Sequence, residues 1–147
     1  MLFSLILLAH VASTIMMAGI IWAVQCVQYP MFADVGEAEF NAYHDKHMRR
    51  ITWVVGPLML TEVFSGAALV LAPSRLSFIP LPGRLAGLLL LIYIWVITAV
   101  LQIPAHRALT QAFFAKRHRR LVRSNWHRTI AWTVRAVLVL SWIAHLL

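Results

Sequence analysis

Four apolar runs divide this chain. They cover roughly Leu2–Phe32, Ile51–Ala72, Leu85–Pro104 and Trp126–Leu146, and each reaches the ~20 residues that a helix needs to cross hydrocarbon. Lipid offers no partner for an unpaired amide, so each run is predicted to be helical. Between the first two runs, Asp34–Arg50 mixes Phe40, Tyr43 and Met48 with charged residues, the pattern of an amphipathic cytoplasmic helix. Asp34 or Gly36 opens it, and Glu37 and Glu39 suit a helix N-terminus. Pro57 is expected to kink the second run. Ala72–Arg84 holds three prolines and a glycine and reads as an external loop with an interfacial patch at Leu76, Phe78 and Ile79. Ala108–Arg123 reads as a second amphipathic helix, with Leu109, Phe113 and Phe114 on its apolar side. The expectation is an all-α bundle of four transmembrane helices with short cytoplasmic amphipathic helices, one integral membrane domain over residues 1–147.

Composition agrees. Only 12% of residues are charged and 61% are hydrophobic, where soluble domains carry about 25% charged residues. Little chain remains for a soluble domain. No basic residue precedes the first run, which far exceeds the h-region of a signal peptide, so it should stay in the mature protein. The net charge of +8 reads as a topology signal, and nucleic acid is not an expected partner. Lys46, Arg49, Arg50, Arg107, Lys116, Arg117, Arg119, Arg120, Arg123 and Arg128 fall on one side, against Arg75 and Arg84 on the other. The positive-inside rule then puts both termini outside and the basic loops in the cytoplasm, as in a bacterial inner membrane. The cluster at residues 116–120 suits anionic lipid, and Trp126 and Trp142 suit the two interfaces. The single Cys26 reads as a buried structural thiol.

Two charges stand inside the apolar runs, Glu62 and Arg135. A charge in hydrocarbon costs roughly 3 kcal/mol on insertion scales, so it faces a bundle interior and marks function. Both lie about 15 Å in from the cytoplasmic side at ~1.5 Å per residue, which makes an interior ion pair feasible. It would act either as a structural lock or as a proton-handling carboxylate. Glu62 follows His44 by 18 residues, about five helical turns, so the two share a face. Arg128 and Arg135, with Trp132 between them, share a face of the last run.

Four of the seven histidines gather at the inner end: His44 and His47 before the second run, His106 after the third, and His127 at the start of the fourth. Neutral imidazoles are ligands that iron, copper and zinc accept. Gln28, Gln102 and Asn125 lie at the same level and could orient them. His10 lies about 30 Å away at ~1.5 Å per residue, either a separate axial ligand or a packed polar residue. The aromatic and methionine side chains read mainly as core and lipid-facing packing. Phosphate-binding loops, nucleophile elbows and glycosidase-type carboxylate pairs are missing from the sequence.

Several phrases together resemble a known pattern: Gln28-Tyr29-Pro30 with Phe32; Tyr43-His44 through Pro57 and Glu62; Pro104-Ala105-His106; and Asn125-Trp126-His127-Arg128-Thr129 with Trp132 and Arg135. The chain is similar to small four-helix bacterial membrane proteins of the anthrone-oxygenase-like family. His106 departs from the asparagine common there. The resemblance implies oxidation of an apolar aromatic substrate with no obligatory cofactor. His10, Gly19 and Trp22 also resemble the first helix of small membrane haem proteins of the protoporphyrinogen-oxidase type.

The leading expectation is thus a membrane oxidoreductase with a cytoplasmic-side site inside the bundle. His44, His47, His106 and His127 would bind a metal or polarise substrate. Glu62 would accept the proton, its charge held by Arg135, while Gln102 and Asn125 orient these groups and His10 serves a cofactor such as haem. The alternatives are a non-enzymatic subunit or assembly factor of a larger membrane complex, and a haem-binding electron-transfer protein. The expected partners are the lipid bilayer and either further copies of the chain or a membrane complex.

Overall fold

The computed structural model describes residues 2–71 and 79–144. These form four long helices: α1 (Leu2–Asp34), α2 (Glu37–Leu71), α3 (Leu81–Gln111) and α4 (Ala115–Ala144). There is no strand among the described residues. Each helix packs on the next, and α4 closes the ring against α1. α1, α2 and α3 are long and apolar enough to cross a membrane. Arg128 and Arg135 dilute the apolar content of α4, yet both are buried. Its outward stripe is Ile130, Val134, Val137 and Leu140, all about half exposed or more. The other helices also turn large apolar side chains outward, among them Trp53, Phe64 and Leu89. A soluble monomer rarely shows apolar surface on this scale.

Several boundaries differ from the sequence expectation. The expected amphipathic helix and the second run are one element, because nothing between Glu37 and Leu71 stops it, and the helix runs on through Pro57. The expected external loop ends early: Pro80 precedes the first turn and Leu81–Arg84 are helical, since proline is tolerated at a helix start. The rest of that loop, including Leu76 and Phe78, lies outside the described residues. The second amphipathic helix is broken at Ala112, which is extended. Its first half belongs to α3 and its second half to α4. Leu109 is buried, but Phe114 is half exposed beneath the Arg117 guanidinium.

The interior is layered. An inner apolar cluster includes Met17, Ile21, Phe32, Phe40, Met59, Ile94 and Trp132. An outer cluster holds Leu7, Leu69, Ile79, Val139 and Trp142. A polar layer built on Thr14, Glu62 and Arg135 separates them. Trp142 is therefore core rather than an interface anchor, and its ring stacks on His10 at 11° with centroids 6.1 Å apart. Glycines let this aromatic pair sit close to the backbone. A Cβ on Gly66 would lie 3.3 Å from His10, and one on Gly87 would lie 3.3 Å from Trp142. Gly87→Val is expected to overpack this slot and cost about 1–3 kcal/mol, seen as a lower melting temperature in detergent. An unchanged melting temperature would contradict the close fit.

Candidate functional site

Two helices widen at the same level. In α1 the amide of Tyr29 bonds the carbonyl of Val24, and in α3 the amide of Ile103 bonds that of Thr98, each a π-type turn. A proline follows directly each time, Pro30 and Pro104. A proline lacks the N–H for an ordinary helical bond and its ring crowds the carbonyl four residues back. The π turn absorbs both effects, and such turns are frequent at functional sites. Gln25 and Tyr29 on α1, and Gln102 and His106 on α3, become buried here. Cys26 is exposed between them, not a buried thiol as the sequence suggested.

Beside these turns lies a cleft of about 340 Å³ between α1, α2 and α3. That is the lower end of the roughly 300–1,000 Å³ usual for small-molecule sites. Met17, Ile21, Met59 and Trp95 line its apolar body, and Tyr29, His47, Gln102, His106 and Arg128 supply its polar atoms.

A chain of hydrogen bonds leaves this cleft. The Tyr29 hydroxyl is 2.8 Å from His106 Nε2, His106 Nδ1 is 3.0 Å from His44 Nε2, and His44 Nδ1 is 3.3 Å from Thr110 Oγ1. Its direction follows from its last member. Thr110 gives its one proton to the His106 carbonyl, 3.1 Å away, so it must accept from His44 Nδ1–H. His44 Nε2 then accepts from His106 Nδ1–H, and His106 Nε2 accepts from Tyr29. Every donor points from the cleft toward exposed Thr110.

Neighbouring rings hold the chain rigid. Phe40 stacks on His44 at 19° with centroids 5.5 Å apart, and Phe32 meets it edge-on. His118 donates from Nε2 to the Tyr29 carbonyl at 2.7 Å. Burial holds His44 and His47, on the part of α2 before its membrane-length run, below the ordinary imidazole range, so both are neutral at pH 7.

The expected histidine group is only partly assembled. His44 and His106 meet, but as partners of each other. His47 packs its ring against Phe32 at the cleft wall. His127 is exposed on the far side of α4 and bonds the Tyr93 hydroxyl at 2.9 Å. The sequence put it with the others because it shares their depth, but its azimuth on α4 carries it outward. No group of three His, Cys, Asp or Glu side chains placed to hold a metal occurs among the described residues. His10 Nδ1 bonds Ser65 Oγ at 2.8 Å. The space beside its ring is about 10 Å³, at most one water, so an axial haem does not fit there.

Glu62 and Arg135 do touch, at 3.0 Å, and both are buried. Glu62 Oε1 also accepts from Thr14 at 2.7 Å, and Oε2 from Trp132 Nε1 at 3.0 Å. Arg135 donates in addition to the Gly87 carbonyl. All four helices thus meet at one ion pair. Glu62 accepts from three donors and does not line the cleft.

Asn125 and Gln102 are orienting groups. Asn125 Nδ2 donates to Gln25 at 2.9 Å, and its Oδ1 accepts from Arg128 at 3.1 Å. Gln102 Nε2 donates to Ser124 at 2.8 Å. Tyr29 and His118 are site residues that their residue types did not single out, and Arg128 was marked only by the face that it shares with Arg135. Tyr29 was legible only through Pro30 beside it, and His118 was masked by the basic run around it.

No family model, curated protein or solved structure matches this chain.

Proposed function

We propose that this is a four-span membrane oxidoreductase of the anthrone-oxygenase-like kind, with both termini outside and the cleft opening toward the cytoplasmic half of a bacterial inner membrane. The apolar outward stripe of α4 supports the fourth span, and the basic loops support the orientation. The oriented Tyr29–His106–His44–Thr110 chain carries the reading. An aromatic ketone with an acidic C–H would lie in the apolar cleft and give its proton to Tyr29 oxygen, as the Tyr29 proton passes to His106 and onward. Dioxygen then oxidises the resulting carbanion, so that one anthrone and one dioxygen give one anthraquinone and one water. This chain's residues bind the substrate, exclude bulk water, hold the proton taken from the C–H and return it to the peroxide oxygen that leaves as water. General-base assistance of this kind contributes about 10²–10⁴-fold. Glu62 fixes the bundle around the cleft in this reading and takes no proton.

Dioxygen uptake on anthrone by the purified protein in non-ionic detergent tests the proposal. Uptake should exceed that of heat-denatured protein. Tyr29→Phe should slow it only about tenfold, because His106 also lines the cleft and can take the proton directly. Uptake at the denatured background would overturn it.

A further inference from the structure

Arg128 is 7% exposed. Its guanidinium has five N–H donors, yet its polar partners are neutral, Asn125 Oδ1 and the Tyr29 hydroxyl, and Nε has no acceptor. The Trp132 ring, 5.2 Å away, offsets only part of the cost of burying a cation. Among the described residues Arg128 pairs with no carboxylate. Of the five acidic residues, Glu62 is taken by Arg135, and Asp34, Glu37, Glu39 and Asp45 are exposed. A buried, uncompensated charge is strongly unfavourable.

Arg84 is also buried and pairs with no carboxylate among the described residues, but the space that it borders beside His10 is about 10 Å³. Arg128 borders the cleft of about 340 Å³. Gln102, on the same wall, adds a second polar atom. The Ser124 hydroxyl donates to the Leu121 carbonyl, so it accepts from Gln102 Nε2, which fixes that amide. Gln102 Oε1 is then left buried with no donor.

We infer that the cleft binds a singly charged organic anion, its oxyanion head on Arg128 and its flat apolar body between Met17, Met59 and Trp95. One cation balances one negative charge, whether carboxylate, phenolate or enolate. Gln102 Oε1 takes any O–H or N–H donor beside that head. The inference rests on the proposed use of this cleft and names the charge state that it holds. An enolate formed in the cleft meets the same requirement, so Arg128 also holds the product of proton removal.

The test compares 2-naphthoate with the neutral 2-naphthalenemethanol, binding to the full chain in non-ionic detergent by quenching of tryptophan fluorescence. Wild type should hold the acid at least about tenfold tighter, as expected for a charge-assisted hydrogen bond in a dry site. Arg128→Gln should remove that preference and Arg128→Lys should keep part of it. If Arg128→Gln does not fold, Gln102→Glu serves instead. It gives Arg128 an internal carboxylate and should abolish binding of the acid while sparing that of the alcohol. Equal affinity of wild type for both probes would overturn the anion inference alone, and anthrone turnover would still stand. Binding of neither probe would overturn the inference, and anthrone turnover would show whether the cleft reading fails with it.

Discussion

Replacing Glu62 with alanine is expected to destabilise the bundle by about 3–5 kcal/mol, the cost of leaving one half of a buried ion pair unpaired. The lost carboxylate accepts from Thr14 on α1 and from Trp132 and Arg135 on α4. Its removal strands three buried donors, one of them charged. Arg135→Ala should cost a similar amount, since it leaves the carboxylate buried and frees the Gly87 carbonyl on α3. The double variant should cost much less than the sum, because neither charge then remains. Thermal or denaturant unfolding of all four proteins in detergent gives the coupling directly. Additive losses would mean that the pair is not the lock between the helices. Glu62→Gln is the subtler probe: the amide oxygen can still accept from one donor, but Arg135 loses its countercharge. It should act through stability, with turnover per folded molecule kept.

The second large effect concerns His106. His106→Ala should lower anthrone-dependent dioxygen uptake by about 10²–10⁴-fold, the usual contribution of a positioned acid–base group. It breaks the chain at its middle, so that the Tyr29 hydroxyl and His44 Nε2 both lose the ring between them. Leaving the buried Tyr29 hydroxyl and His44 Nε2 unsatisfied costs about 1–3 kcal/mol each in addition, so the folded fraction must be measured alongside. Added imidazole should restore part of the rate, because the vacated space lies on the cleft wall. Binding of 2-naphthoate should survive, since Arg128 is untouched. A folded His106→Ala protein with wild-type uptake would remove the proton chain from the mechanism.

The two substitutions separate functions that the sequence merged. Glu62 and the histidines lie on one face of α2, and all looked like parts of one reactive centre. In the fold, Glu62 belongs to the layer between the two apolar clusters, and His44 belongs to the cleft end. The distinction depends on what faces each residue from other helices. Glu62 meets three donors, whereas His44 meets His106 and Thr110.

The sequence by itself determined the helices, the burial of Glu62 and Arg135, and the level at which polar groups collect. Those follow from local rules: the length of an apolar run, the cost of charge in lipid, and the rise per residue. Depth along a helix is legible because it is a sum over residues. Tertiary structure decided azimuth and partnership. His127 shares the depth of His106 but faces outward, and Gln25 and Gln102 lie buried within the π turns before Pro30 and Pro104, which an ideal helix does not predict. Arg128 counted in the topology signal and shared a face with Arg135, but its partner was not legible in the sequence. Only the packing of α4 against α1 and α3 made it a buried cation without a carboxylate, because whether a charge is compensated is a property of its neighbours in space.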